Sequence, residues 1–92
     1  MSTENVEMRP AQCRAGRALL NITQPELAKL AGLGLSTVVD FEKERRQVSL
    51  AAVETIQRAL RRAGIEFIDE NGGGLGVRLR KRQHERRQSQ RA

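Results

Sequence analysis

The sequence is short of aromatic residues, with two phenylalanines and neither tryptophan nor tyrosine among 92 residues. Phe41 and Phe67 are therefore expected to anchor a core or an interface. Cysteine and histidine occur once each, as Cys13 and His84, so no zinc site can be assembled from them and no intramolecular disulfide can form. Cys13 is expected to be a small core residue rather than a nucleophile. These shortages argue against an enzyme, and no metal or cofactor is predicted.

Long apolar runs are also missing. None approaches the ~18 residues that span a bilayer, and the first twenty residues lack the apolar segment of a signal peptide. The sequence therefore predicts a cytoplasmic protein without a membrane partner. A chain of this length has room for one small core, so we expect either dimerisation or economical helix packing.

Charge is distributed unevenly along the chain. Residues 1–77 hold ten Lys/Arg and ten Asp/Glu, whereas residues 78–92 hold seven Lys/Arg and one Glu, which gives the net charge of +6. Such a basic run attracts nucleic acid through counterion release, and the alternative is a solvated tail that aids solubility. We favour a disordered basic tail over residues 81–92 that adds phosphate contacts, and the side chains expected to make them are Lys81, Arg82, Arg86 and Arg87.

Residues 1–8 are polar and acidic, have no periodicity, and are predicted to form a flexible arm. Sequence features typical of helices begin after this segment. Pro10 suits the first turn of helix one, which is expected to end before Asn21. Thr23 and Glu26 have the spacing of a capping box for helix two, and Gly32 can end that helix.

Two further helices are predicted before residue 64. In helix three, expected over residues 35–44, Val38 and Phe41 would point inward. Its opposite side carries short polar side chains and a valine, which are able to contact base edges in a DNA groove. Helix four is capped by Ser49 and has an apolar stripe. The stripe consists of Leu50, Val53, Ile56, Leu60 and Ala63, together with the polar Gln57.

The pattern then changes to alternation, which predicts a β-hairpin over residues 65–80. An isolated hairpin is marginal in water, so it should pack on helix four, pair with a second copy of the chain, or both. We favour pairing, since an exposed apolar edge is otherwise a liability. The residues assigned to dimerisation are Ile65, Phe67, Ile68, Leu75, Val77 and Leu79.

The segment from Thr23 to Arg46 resembles the helix-turn-helix of the Cro and lambdoid phage repressor (XRE) family. The matching residues are Thr23-Gln24-x-Glu26-Leu27-Ala28-x-x-Ala31-Gly32, Ser36-Thr37-Val38 and Phe41-Glu42, followed by a helix over Leu50–Leu60. The resemblance implies a mainly α fold, with a four-helix helix-turn-helix domain over residues 9–64 that precedes the hairpin and the basic tail. It also implies a bacterial or phage-encoded, nucleoid-associated regulator of transcription.

The resemblance assigns roles to individual positions. Arg17 and Glu42 match a pair that ties helix one to helix three through an ion pair, so Arg17 is expected to be structural. Gln24 matches a residue that contacts phosphate and braces the recognition helix. Base contacts are expected from Leu35, Ser36, Thr37, Val39 and Asp40, and phosphate contacts from Thr23, Gln24, Lys43, Arg45 and Arg46. The family usually has glycine after the recognition helix, and Lys43-Glu44-Arg45 at this place favours a longer helix three.

The function implied is a sequence-specific transcriptional regulator that binds double-stranded DNA as a homodimer, on an inverted repeat and through the major groove. Most small proteins of this build repress by occlusion, although activation uses the same domain and the residues do not decide. The alternative is an antitoxin or antiactivator whose hairpin binds a protein partner, with DNA binding for autoregulation. The operator, its half-site spacing and the regulated genes cannot be deduced from the sequence.

Overall fold

The computed structural model of the protein describes residues 7–70 and 72–80. It has four α-helices followed by two β-strands, which confirms the predicted mainly α fold with a C-terminal hairpin. The elements are α1 (Pro10–Leu20), α2 (Gln24–Ala31), α3 (Leu35–Lys43), α4 (Leu50–Arg62), β1 (Ile65–Ile68) and β2 (Gly76–Leu79). The tail contacts predicted for Lys81, Arg82, Arg86 and Arg87, and most of the predicted arm, lie outside the described residues.

Three of the helices end in the same way. A residue in the left-handed conformation follows α1, α2 and α3, namely Asn21, Gly32 and Glu44, with φ of 60°, 71° and 56°. At each end, the main-chain N–H of the residue after the left-handed one donates to the carbonyl of the residue five positions earlier, as in the 3.0 Å bond from Arg45 N to Asp40 O. These are Schellman turns, which satisfy carbonyls that a helix end leaves without partners.

The turn after α3 differs from what the sequence favoured. Helix α3 ends at Lys43, and Glu44 adopts a left-handed conformation, which glycine adopts most easily. The expectation of a longer third helix was therefore wrong. The bonds that Glu44 and Arg45 donate to Phe41 O and Asp40 O close the turn, at the cost of a side chain in a region that favours glycine.

The core is formed by apolar side chains from all four helices and from β1. Leu27, Val38, Ile56, Leu60 and Ile65 are each fully buried. Helix α4 contributes the largest share, as its apolar stripe predicted. Leu50, which the same stripe included, is instead 55 % exposed in the first turn of α4.

The start of the domain includes Met8, which the sequence had placed in the flexible arm. Its side chain is only 1 % exposed and belongs to the core cluster. Met8 directly precedes the residue that caps α1, and Cys13 lies four residues beyond that cap, which is the spacing of a hydrophobic staple. The polar neighbours of Met8 hide this in the sequence, so the boundary at residue 8 needs correction.

The two strands form an antiparallel hairpin in which Ile65 pairs with Leu79 and Ile68 with Gly76. It packs on the helices, with β2 against α1 and β1 against α4. Gln12, buried in α1, donates from Nε2 to the Gly76 carbonyl at 3.1 Å. On the other side, the Arg61 guanidinium lies 5.6 Å from the centre of the Phe67 ring. The hairpin is thus an integral layer of the domain. No helix within the described residues is long and apolar enough to cross a membrane.

Candidate nucleic-acid interface

Helix α3 has one side in the core and one side available to a ligand. Val38, Phe41 and Glu42 are buried, and all three lie on the side that packs against the other helices. Ser36, Val39, Asp40 and Lys43 recur at the spacing of one helical face. That face is opposite the buried side, and its members are exposed or half-buried. Leu35, at the first turn, is 46 % exposed, and Thr37 is half-buried. The five side chains expected to contact bases are therefore all at least partly accessible.

The orientation of α3 is fixed by the carboxylate of Glu42, which is 1 % exposed. Arg17 in α1 donates from Nε to Oε2 and from Nη2 to Oε1, both at 2.8 Å. The family resemblance implied an ion pair between these residues, and the structure shows that its geometry is bidentate. Gln24 at the start of α2 donates to Oε1 at 2.9 Å. The Glu42 carboxylate therefore joins three helices at one point.

Two further groups complete this cluster. The Cys13 thiol donates to Glu42 Oε2 at 3.1 Å, and Arg14 donates to the main-chain carbonyl of Glu42. Burial, followed by the hydrogen bond to Glu42, raises the pKa of Cys13 far above its usual value. The thiol is thus protonated, buried and a hydrogen-bond donor, and it has none of the thiolate character that a nucleophile needs.

The pKa of Glu42 results from opposing effects. Burial alone would raise it, because the charged form loses its hydration. The hydrogen bonds from Arg17, Cys13 and Gln24 favour the charged form, and their sum outweighs burial, so the pKa lies below the usual value. Glu42 is therefore a charged carboxylate at neutral pH with both oxygens bonded, which makes it a structural centre and not a reactive group.

The residues expected to contact phosphate fall into two groups in space. Thr23 and Gln24 lie at the N-terminus of α2, where Thr23 forms the predicted capping box: its Oγ1 accepts from Glu26 N and its N–H donates to Glu26 Oε1, at 3.2 and 2.7 Å. Lys43, Arg45 and Arg46 lie at the C-terminal end of α3 and just beyond it. Both groups flank α3, because Gln24 is bonded to Glu42 within that helix.

One pair links the two expected roles directly. Arg46, assigned to phosphate, donates from Nε to Oδ2 of Asp40, assigned to bases, at 2.7 Å. The side chains of Lys43 and Arg45 are exposed. No signal in the sequence predicted the Asp40–Arg46 ion pair, because it depends on the reversal of the chain at Glu44.

The residues expected to form a dimer interface differ in accessibility. Ile65 is fully buried in the core of its own chain, and Phe67 and Val77 pack partly against that core. Ile68 is half-buried, whereas Leu75 and Leu79 are 39 % and 44 % exposed. A groove of about 510 Å³ runs between α1 and β2 and is lined largely by apolar side chains. The accessible apolar surface of the hairpin is thus its second half.

A helix joined through a glycine turn to a second helix with an accessible polar face defines the helix-turn-helix class of DNA-binding domain. The helix-turn-helix family model matches residues 14–67, and the chain belongs to this XRE-type family, which confirms the resemblance. The match ends within β1, so β2 lies beyond it.

One relative is an uncharacterized HTH-type transcriptional regulator from Methanothermobacter thermautotrophicus (strain Delta H). It is 40 % identical over 62 residues, which cover 64 % of this chain and 90 % of the relative. The family and this relative support a DNA-binding transcriptional regulator.

Proposed function

We propose that the protein regulates transcription by binding an inverted-repeat operator as a homodimer, with α3 of each copy in the major groove. The observation that carries this proposal is the accessible face of α3, built from Ser36, Val39, Asp40 and Lys43. The Arg17–Glu42–Gln24 cluster holds this helix against α1 and α2. A helix that contacts bases needs both an accessible face and a rigid attachment, because base contacts demand a fixed orientation of the side chains.

Base contacts are assigned to Leu35, Ser36, Thr37, Val39 and Asp40. The hydroxyls of Ser36 and Thr37 can donate to or accept from either base of a pair, and Leu35 or Val39 can contact a thymine methyl. Phosphate contacts are assigned to Thr23, Gln24, Lys43, Arg45 and Arg46, with the tail adding affinity. Phosphate contacts set the register of the protein on the duplex and base contacts set the sequence.

Dimerisation is assigned to the hairpin. The bond from Arg80 N to Gly64 O at 2.7 Å places residues 64 and 80 in a hydrogen-bonded pair. Because such pairs alternate along an antiparallel ladder, the N–H and C=O groups of Val77 and Leu79 point away from β1. A second hairpin could pair with this edge or pack on Leu75 and Leu79, and the two copies of α3 would then meet half-sites about 34 Å apart.

The DNA-binding proposal is tested by selecting bound sites from random double-stranded DNA with the full chain. We expect an inverted repeat to be enriched. Replacing both Ser36 and Thr37 by alanine should relax the preference within each half-site while the circular dichroism spectrum stays unchanged. Arg58→Ala on the exposed side of α4 is the control, and its selected sites should match those of the wild type. Failure to enrich any sequence would refute the proposal.

Phosphate contacts are tested by the salt dependence of binding. Lys43→Ala and Arg45→Ala should each weaken binding to all sequences and lower the slope of log K against log salt by about one. Arg58→Ala, which removes the same charge from α4, should leave the slope unaltered. Equal slopes for all variants would contradict the assignment of Lys43 and Arg45.

The dimer is tested by sedimentation of the chain at several concentrations. Because Ile65 belongs to the core, deletion of the hairpin would unfold the domain, and surface substitutions are the appropriate probe. Leu75→Lys with Leu79→Lys should yield a folded monomer. Leu19→Lys, a matched substitution at a side chain 43 % exposed on α1, should leave the dimer intact. A dimer that survives the double substitution would exclude this surface.

The sign of regulation is proposed to be repression, because a protein of this size acts most simply by covering a promoter. A reporter gene downstream of the selected site should lose expression when the protein is supplied. Increased expression would show activation instead.

A second candidate function is supported by the groove between α1 and β2. Its lining includes Ala11, Ala15, Leu75 and Val77, which suits an apolar segment of a protein partner, as in an antitoxin or antiactivator that also binds DNA. A partner purified with the chain should then protect residues 65–80 from hydrogen exchange. Protection confined to α2 and α3 would contradict this function.

A further inference from the structure

The ion pair between Asp40 and Arg46 lies on the surface assigned to DNA. Nε of Arg46 donates to Oδ2 of Asp40 at 2.7 Å, and the Asp40 side chain is 19 % exposed against 52 % for Arg46. Asp40 lies on the accessible face of α3, one turn after Ser36. The pair is thus a formally neutral unit on a face otherwise suited to a polyanion.

The turn after α3 creates this pair. Glu44 in the left-handed conformation reverses the chain, and Arg45 N bonds back to the carbonyl of Asp40 at 3.0 Å. The next residue, Arg46, is thereby brought over the last turn of α3, where its guanidinium meets the Asp40 carboxylate. The position of Arg46 is therefore set by main-chain bonds as well as by the ion pair.

An aspartate in this place has an electrostatic disadvantage, since DNA phosphates repel it. Arg46 offsets that repulsion while using one of the two carboxylate oxygens. A carboxylate has about four acceptor sites in total, so Asp40 retains acceptors for a group in the groove. Because a carboxylate accepts hydrogen bonds and does not donate them, Asp40 can bond only to donor groups on the bases.

We propose that Asp40, oriented and neutralised by Arg46, accepts a hydrogen bond from the N4 amino group of a cytosine and so specifies one C·G pair in each half-site. This inference rests on the proposed function. Asp40 is the specificity-determining residue, and Arg46 is a positioning residue.

The chemistry of the base edges favours cytosine. In the major groove guanine presents the acceptors N7 and O6 and thymine presents the acceptor O4, all of which repel a carboxylate. Adenine offers the N6 donor beside the N7 acceptor, so a carboxylate gains one contact and meets one repulsion. Cytosine offers its N4 donor alone, and its partner guanine leaves acceptors that Arg46 can approach.

The alternative to a role in base recognition is that the Asp40–Arg46 ion pair only stabilises the turn. Exposed ion pairs of this kind contribute little to stability, and Arg46 is half exposed. Substitutions at Asp40 and Arg46 should therefore leave the protein folded, with thermal midpoints within a few degrees of the wild type. Binding specificity can then be measured on folded variants.

The test is site selection from random double-stranded DNA by the full chain and by five variants. We expect the wild type to prefer cytosine at one position of each half-site, by about tenfold over the other bases. Asp40→Ala should abolish the preference at that position alone. Asp40→Asn should shift it toward adenine, since an amide can bond N6 and N7 together.

Arg46→Ala and Arg45→Ala remove the same charge from adjacent residues and form the matched pair. Both should weaken binding to all sequences, but only Arg46→Ala should also reduce the preference for cytosine, and Arg46→Lys should restore part of it. A preference for cytosine that persists in Arg46→Ala would show that Arg46 does not position Asp40.

Base preferences that are identical for the wild type, Asp40→Ala and Asp40→Asn at every position would overturn the inference while leaving the proposed function intact. A wild-type chain that enriches no DNA sequence would instead refute the proposed function itself.

Discussion

Arg17 donates two hydrogen bonds to the carboxylate of Glu42, at 2.8 Å to each oxygen, and so joins the first helix of the domain to the helix assigned to DNA. Its Nη1 also donates to the carbonyl of Ile22 at 3.2 Å, in the turn before α2. One guanidinium therefore fixes three segments. This rigid attachment on the buried side suits the role proposed for α3, because base contacts are assigned to its opposite face and need a fixed orientation.

Arg17→Ala should destabilise the fold by about 3 to 5 kcal/mol, because it leaves the buried Glu42 carboxylate without its counter-ion. The measurement is urea unfolding followed by circular dichroism, with Arg58→Ala as an exposed control that should cost less than about 0.5 kcal/mol. The double variant Arg17→Ala with Glu42→Gln should recover part of the loss, since no uncompensated charge remains. A loss equal to the sum of the single effects would argue against coupling.

Stability should fall in acid through the same cluster. The pKa of Glu42 is lower in the folded protein than its ordinary value of 4.5, so the unfolded chain takes up a proton first as the pH falls. The stabilisation is thus complete above about pH 4.5 and is lost as the pH falls through the folded pKa. Urea unfolding between pH 3 and pH 7 should show this loss, and Glu42→Gln should flatten the profile.

A second carboxyl acts in the same acidic range and provides the control. The main-chain N–H of Thr23, followed by its hydroxyl, lowers the pKa of Glu26, so Glu26→Gln should remove a separate part of the acid dependence. Arg17 stays charged throughout this range. A profile that is the same in the wild type and in Glu42→Gln would contradict the role given to Glu42.

Glu44→Gly should stabilise the protein by about 0.5 to 1 kcal/mol. Glu44 has φ of 56°, a conformation that glycine adopts without the cost that a Cβ imposes, although glycine also gains entropy in the unfolded chain. Thermal unfolding should show a rise of a few degrees. Glu44→Ala removes the same charge but keeps the Cβ, and it should not reproduce the gain. Equal midpoints for both variants would show that strain at this turn is negligible.

The sequence predicted those parts of the fold that follow from local rules. The caps at Thr23 and Ser49, the end of α2 at Gly32 and the apolar spacing of α4 each depend on residues close together in the chain. The Arg17–Glu42 pair was implied by family resemblance and not by local pattern, since 25 residues separate its members.

The features that the sequence did not predict depend on the assembled domain. Met8 is buried in the core just before α1, which its polar neighbours in the sequence do not indicate. Asp40 and Arg46 meet only because Glu44 reverses the chain. The bond from Gln12 to Gly76 spans 64 residues, so no short window of sequence contains it.

Gln12 should control how firmly the hairpin is attached to the helices. Its Oε1 accepts from Arg9 N at 2.9 Å while its Nε2 donates to the Gly76 carbonyl at 3.1 Å. Gln12→Glu keeps the acceptor but replaces the donor by a carboxylate beside a carbonyl, so it should cost about 1 to 3 kcal/mol. Amide exchange in β2 should accelerate more than exchange in α2. Gln47→Glu, at an exposed position, is the control, and similar exchange in both variants would refute the attachment.

Gly16→Ala should stabilise the protein although Gly16 is buried where α1 meets α4 and β1. An added Cβ would lie 3.5 Å from Leu60 Cδ2 and 3.6 Å from Ile65 Cγ1, which is ordinary van der Waals contact, and alanine is favoured over glycine within a helix by about 1 kcal/mol. The thermal midpoint should therefore rise by about 4 to 8 °C. Gly16→Leu should lower it, because a larger side chain would force α1 away from α4. A destabilised Gly16→Ala variant would show that the contact between these elements is closer than these distances indicate.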